Sequence, residues 1–125
     1  MDLRGKNFSV NYDDFTKYRE FFTVKDGNKV TITGGAIKVV GNFSSKANFS
    51  LFYVNGADSS LTLSGCTLSA PGVNFGDAGM TAVKVSSGSV NLINTTISDI
   101  DSNSSGAGVF VSNGSVTMDG GAIQN

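Results

Sequence analysis

The composition of this chain excludes several classes of function. Its 125 residues allow one domain, and a net charge of −1 gives no electrostatic basis for binding nucleic acid or an anionic membrane. No stretch approaches the ~20 apolar residues of a membrane-spanning helix. Charged residues make up 15% of the chain, against about 25% in typical soluble domains. Gly, Ser, Thr and Asn take their place, as is common in extracellular repeat proteins.

The first 21 residues differ from the rest. Aromatic residues recur at helical spacing in this segment and just after it: Tyr12, Phe15, Tyr18 and Phe22. Asp13 and Asp14 stand where the start of a helix favours negative charge. We therefore predict that residues 1–21 form an N-terminal cap containing a short amphipathic helix, the alternative being another irregular coil. The segment lacks the apolar region of a signal peptide, so any export signal is expected outside this chain.

The next element is an octapeptide frame that occurs four times. "VTITGGAI" at 30–37 returns as "LTLSGCTL" at 61–68, "VNLINTTI" at 90–97 and "VTMDGGAI" at 116–123. Each copy follows a tripeptide that ends in Val, at 22–24, 52–54, 83–85 and 109–111. A turn signal with Gly after Asp, Asn or Ser separates the two frames. Internal repetition of this kind is typical of solenoids.

The apolar spacing inside the octapeptide predicts a strand, a bend and a second strand. Val30 and Ile32 alternate as in a strand, and the pattern then skips before it resumes at Ile37. One such coil cannot bury its own interior, but coils stacked ~4.8 Å apart form parallel sheets around an apolar column. We predict an all-β fold, a right-handed single-stranded parallel β-helix of about four to five coils over residues 22–125.

The same register predicts which residues face inward. The predicted core column has twelve members: Val24, Ile32, Ile37, Val54, Leu63, Leu68, Val85, Leu92, Ile97, Val111, Met118 and Ile123. Cys66 occupies a small inward position next to this column. Because the chain has no His to activate a thiol, we interpret Cys66 as a buried structural residue.

The segments that vary in length lie at one corner of each coil, at 38–50, 69–81 and 98–108. Insertions in solenoids fall on one face, which is often the binding face. Asn42 and Lys46 in the first segment, and Asp99, Asp101 and Asn103 in the third, are candidate binding residues. The last three alternate like calcium ligands, but we favour a solvated polar loop and predict no metal or cofactor.

Outward positions on the strands also form columns. Thr31, Thr62, Asn91 and Thr117 make an ordinary β-sheet surface. A second column contains Thr23, Tyr53, Lys84 and Phe110. Because exposed aromatic rings offer stacking surface to sugars or partner proteins, Tyr53, Lys84 and Phe110 are candidate binding residues.

The tetrapeptide "GGAI" at 34–37 and 120–123 resembles the GGA-aliphatic repeat of chlamydial polymorphic membrane proteins, whose second motif, Phe-x-x-Asn, is matched at Phe52 and Asn55. The middle copies depart from the tetrapeptide, with "GCTL" and "NTTI". More broadly, residues 22–125 resemble pectin-lyase-like right-handed β-helices, which include autotransporter passenger domains and phage tailspikes. This resemblance implies an extracellular or cell-surface location.

Many β-helices of this kind cleave polysaccharides, and that chemistry requires paired acidic residues. This chain has no Glu after Glu20, and Asp99 and Asp101 are the only close acidic pair outside the cap. We therefore predict a non-enzymatic adhesin-type module that presents its corner loops to glycans or to host or cell-surface proteins. The alternative is a spike or polysaccharide-processing domain whose site needs further coils or another chain.

The C-terminal edge is the last feature that the sequence predicts. A coil that ends near Ile123 leaves unpaired backbone groups and apolar side chains facing outward. We expect either a longer natural chain or a second copy of the molecule to cover this edge. Because the predicted cap blocks head-to-tail stacking, self-association is expected to join two C-terminal edges antiparallel in a dimer.

Overall fold

The computed structural model describes residues 1–11, 20–41, 48–73, 79–100 and 107–124. These residues form seven strands: β1 (Asp2–Asn11), β2 (Glu20–Lys25), β3 (Lys29–Val40), β4 (Phe49–Ser69), β5 (Met80–Ser98), β6 (Ala107–Val111) and β7 (Ser115–Gln124). All six strand pairings are parallel. Within the described ranges there is no helix, and hence none long and apolar enough to cross a membrane.

The register confirms a parallel β-solenoid. The four octapeptide frames stack directly, with Ile37 beside Leu68, Leu68 beside Ile97, and Ile97 beside Ile123. Four stacked copies are related by three steps, so the solenoid has about three turns. The prediction of four to five coils was too high because it counted copies of the repeat instead of the turns between them.

The inward column predicted from the sequence is the core of the molecule. Nine of its members are at most 5% exposed: Val24, Ile32, Ile37, Val54, Leu63, Leu68, Val85, Leu92 and Ile97. The other three belong to the last turn, where Val111 and Met118 are each 42% exposed and Ile123 is 49% exposed. The column therefore continues through the whole solenoid and is open at its C-terminal end.

A left-handed backbone position produces the bend inside each octapeptide. The stacked residues at this corner have positive φ angles: Gly34 (58°), Gly65 (65°), Asn94 (45°) and Gly120 (70°). Gly and Asn are the residue types that adopt this conformation most readily. The first glycine of "GGAI" thus turns the chain at the bend that the apolar spacing predicted.

The N-terminal strand adds to the sheet below the first turn. β1 pairs with β3, with Phe8 opposite Ile37, and Leu3 and Val10 of β1 are buried. Residues 12–19, on which most of the predicted helix falls, lie outside the described residues. Glu20 and Phe21 of the predicted cap segment, and Phe22 of the helical pattern, lie in β2.

The ends of the variable corner segments contribute to the core. Their buried apolar residues are Val39, Phe49, Ala70, Val73, Met80 and Ile100. No periodic pattern marked these residues as inward, because they lie where one strand ends and the next begins. The middle parts of the segments, 42–47, 74–78 and 101–106, lie outside the described residues.

Candidate functional site

The outward column on the first sheet of each turn is the candidate site that the structure describes best. Thr23 pairs with Tyr53, Tyr53 with Lys84, and Lys84 with Phe110. The strands hold these residues in line because each lies one position before an inward Val of the core column. Neighbouring members are therefore one strand spacing apart, about 4.8 Å.

The side chains of this column form a mixed aromatic and cationic surface. The Lys84 ammonium lies 5.4 Å from the centre of the Tyr53 ring, within the range of a cation–π interaction. Both side chains are half-buried. Phe110 is 48% exposed, more than is usual for a large apolar side chain. The column thus offers one open aromatic ring beside a positive charge held over a second ring.

The ion pairs around Lys84 decide which ligand groups it can bind. In the described part of the chain it forms no ion pair, since the one ion pair there joins Lys25 and Asp26. An ammonium group without a carboxylate partner can bind an acidic or hydroxyl group of a ligand. The register predicted from the sequence brought Lys84 beside Tyr53, but the position of the ammonium over the ring depends on side-chain torsions that no sequence pattern reports.

Of the five corner residues predicted to bind, the structure describes one, Asp99. Asp99 is exposed and has a left-handed backbone with φ of 56°. Asp101, Asn103, Asn42 and Lys46 lie outside the described residues. Among the residues that are described, no three acidic or cysteine side chains come close enough together to hold a metal ion.

The buried polar groups next to the core are structural. The thiol of Cys66 lies 3.5 Å from the carbonyl oxygen of Ile32, and desolvation by burial raises its pKa. The Thr95 hydroxyl occupies the same position one turn later and donates to the carbonyl oxygens of Leu63 (3.0 Å) and Ile93 (3.1 Å). The prediction that Cys66 is buried is confirmed.

Side chains also bond neighbouring turns at their corners, which sequence reasoning missed. The side-chain oxygen of Asn48 accepts from the Gly79 backbone amide at 3.0 Å, and Ser59 accepts from the Gly27 amide at the same distance. Both polar residues lie in turn or corner segments, where Asn and Ser are common for other reasons. The sequence alone therefore carried no signal for these contacts.

An apolar cavity of about 410 Å³ opens at the N-terminal end of the solenoid. Its lining includes Met1, Leu3, Phe8, Phe21, Phe22 and Phe52. The cavity also borders Asn11, the residue that precedes the undescribed segment 12–19. The sequence predicted a cap at this end, and no cavity.

No protein-family model matches the chain, and comparisons with curated proteins and with solved structures give no match either. The parallel β-solenoid is therefore shown by the strand register itself. The resemblance of the GGA-aliphatic tetrapeptide to particular β-helix families stays a prediction.

Proposed function

We propose that the protein is a non-enzymatic binding module of the adhesin type, located outside the cell or on its surface, that binds glycans or proteins. Its fold would be a right-handed, pectin-lyase-like β-helix, the hand that strand–crossover–strand connections overwhelmingly adopt. The observation that carries this proposal is the column of Tyr53, Lys84 and Phe110, with the 5.4 Å cation–π contact and the exposed Phe110 ring.

The chemistry of the column fits a sugar. The face of an aromatic ring is apolar and electron-rich, so it packs against the C–H groups of a pyranose ring. The Lys84 ammonium is positioned to donate hydrogen bonds to hydroxyl or carboxylate oxygens of the same ligand. A rigid sheet holds all three groups, which lowers the entropy lost on binding.

The absence of catalysis is part of the proposal and rests on composition. The chain has no His, and its last Glu is Glu20, whereas polysaccharide cleavage needs acidic groups placed on both sides of the scissile bond. Binding through stacking and hydrogen bonds makes no such demand on the sequence.

A glycan array followed by affinity measurements on variants tests the proposal. Phe110→Ala and Tyr53→Ala should each weaken binding at least about fivefold, since ring truncation at such sites typically costs more than ~1 kcal/mol. Thr62→Ala, in the outward column of another sheet, is the matched control and should leave affinity unchanged. Equal affinity of all three variants would contradict the proposed surface. Turnover in a reducing-sugar assay would favour a spike or polysaccharide-processing domain.

A further inference from the structure

Asparagine is followed directly by glycine at two places in this chain, as Asn55 with Gly56 and as Asn113 with Gly114. In such a pair, the backbone nitrogen of the glycine can attack the side-chain carboxamide of the asparagine, because glycine has no side chain to hinder the approach. The reaction requires that this nitrogen lies close to the carboxamide and is not held by a hydrogen bond of the sheet. The two pairs differ in both respects.

The Asn113 pair is arranged for this reaction. Asn113 is exposed and lies in the turn between β6 and β7. The Gly114 backbone amide donates to the side-chain oxygen of Asn113 itself, at 3.1 Å. Across the described ranges, this amide donates to no backbone carbonyl oxygen. The nitrogen therefore lies beside the carboxamide already, and no hydrogen bond of the sheet has to break before it reacts.

The previous turn of the solenoid holds this arrangement in place. On one side of Asn113, the Ser112 amide donates to the carbonyl oxygen of Val85 at 2.9 Å. On the other side, Gly114 has a φ of 102° and packs so closely that a Cβ there would clash with the carbonyl oxygen of Gly88. The backbone is thus fixed on both sides of Asn113, while water reaches its side chain.

The Asn55 pair is held inside a strand. Asn55 lies in β4 and pairs with Lys25 on one side and with Ser87 on the other. Gly56 belongs to the same strand. A strand that is paired on both sides keeps its backbone extended, so it has to open locally before the glycine nitrogen can reach the carboxamide.

We propose that Asn113 is a site of spontaneous deamidation in the folded protein. The Gly114 nitrogen gives its proton to hydroxide and forms a bond to Cγ of Asn113, and the Cγ–Nδ2 bond then breaks and releases ammonia. The product is a succinimide ring, which water hydrolyses. Opening on the Cγ side gives aspartate, and opening on the backbone carbonyl side gives isoaspartate, which lengthens the backbone between β6 and β7 by one methylene group. Either product adds one negative charge to the net charge of −1.

Peptide mapping by mass spectrometry, on the native protein kept in mildly alkaline buffer, tests the proposal. Asn113 should deamidate at least about tenfold faster than Asn55, because β4 has to open before its backbone can react. Isoaspartate should accompany aspartate at position 113, since direct hydrolysis of the carboxamide gives aspartate alone. Asn113→Gln, which would have to form a six-membered ring, is the matched control. It should lack the acidic species that the native protein develops on ion exchange.

The same measurement in concentrated urea separates the effect of the fold from that of the sequence. Unfolding removes both the turn around Asn113 and the strand around Asn55, so the two rates should become similar. The proposal is overturned if Asn113 reacts no faster than Asn55 in the folded protein, or if aspartate forms there without isoaspartate. It is also overturned if the difference between the two sites persists in urea, which would assign it to the neighbouring residues in the sequence.

Discussion

Cys66 and Thr95 show which residue types one inward position of this fold accepts. Both occupy the small inward position after the corner, in neighbouring turns, and the Thr95 hydroxyl lies 3.4 Å from the Cys66 backbone amide. The sequence predicted that this position is small and inward, because the apolar frame places it there. It did not predict the hydrogen bond that the buried Thr95 hydroxyl donates, since the accepting carbonyl oxygen belongs to Leu63, 32 residues earlier in the chain.

The buried thiol makes stability depend on pH in the alkaline range. Burial raises the pKa of Cys66, whereas the thiol of the unfolded chain ionises near its usual pKa of about 8.5. Between these two pKa values, the unfolded state has lost a proton that the folded state keeps, so the free energy of unfolding falls as pH rises. Below about pH 8.5, this contribution is fully present.

We expect urea unfolding of the native protein to show this fall above about pH 8.5. Cys66→Ala should remove that part of the pH dependence and leave the contributions of Tyr and Lys in place. Parallel stability curves for the two proteins across this range would mean that the thiol ionises alike in both states.

At the scale of the strands, the alternation of apolar residues predicted the strand register. Core residues in the irregular segments between strands were not predicted. Leu63, Leu92 and Met118 stack as the repeat predicted, because a slip of one residue would turn every inward side chain outward. Val39 and Ile100 are buried as well, at 0% and 5% exposed, yet they lie at strand ends where no period applies. The same holds for the proposed site. The sequence predicted which residues form its column, but it did not predict the geometry of their side chains.

Leu92 and Met118 provide a matched pair for measuring core packing. They are paired neighbours in one column, but Leu92 is 1% exposed and Met118 is 42% exposed. Leu92→Ala should lower the free energy of unfolding by about 2 to 5 kcal/mol, through lost burial and the cavity that remains. Met118→Ala should cost less than ~1 kcal/mol in the monomer, because solvent already reaches the side chain.

Denaturant unfolding at a concentration too low for association measures both values. Equal costs for the two substitutions would show either that Leu92 is not central to the column or that the last turn is covered within a single chain.

The molecule as a whole is a one-dimensional stack, and its properties follow from that. Each turn contacts only its neighbours, so the inner turns are supported on both faces and the ends are not. β1 supplies support at the N-terminal end, whereas Val111, Met118 and Ile123 of the last turn stay exposed. The same stacking aligns equivalent outward residues, which is how Tyr53, Lys84 and Phe110 come to form one surface.

Methyl–methyl nuclear Overhauser contacts test the stacked register most directly. Ile37, Leu68, Ile97 and Ile123 lie on successive levels of the column, about 4.8 Å apart, and alternate levels are about 9.6 Å apart. We expect cross-peaks between each consecutive pair and none between Ile37 and Ile97. A strong Ile37–Ile97 contact, or no contact between Leu68 and Ile97, would contradict the parallel solenoid on which the binding column depends.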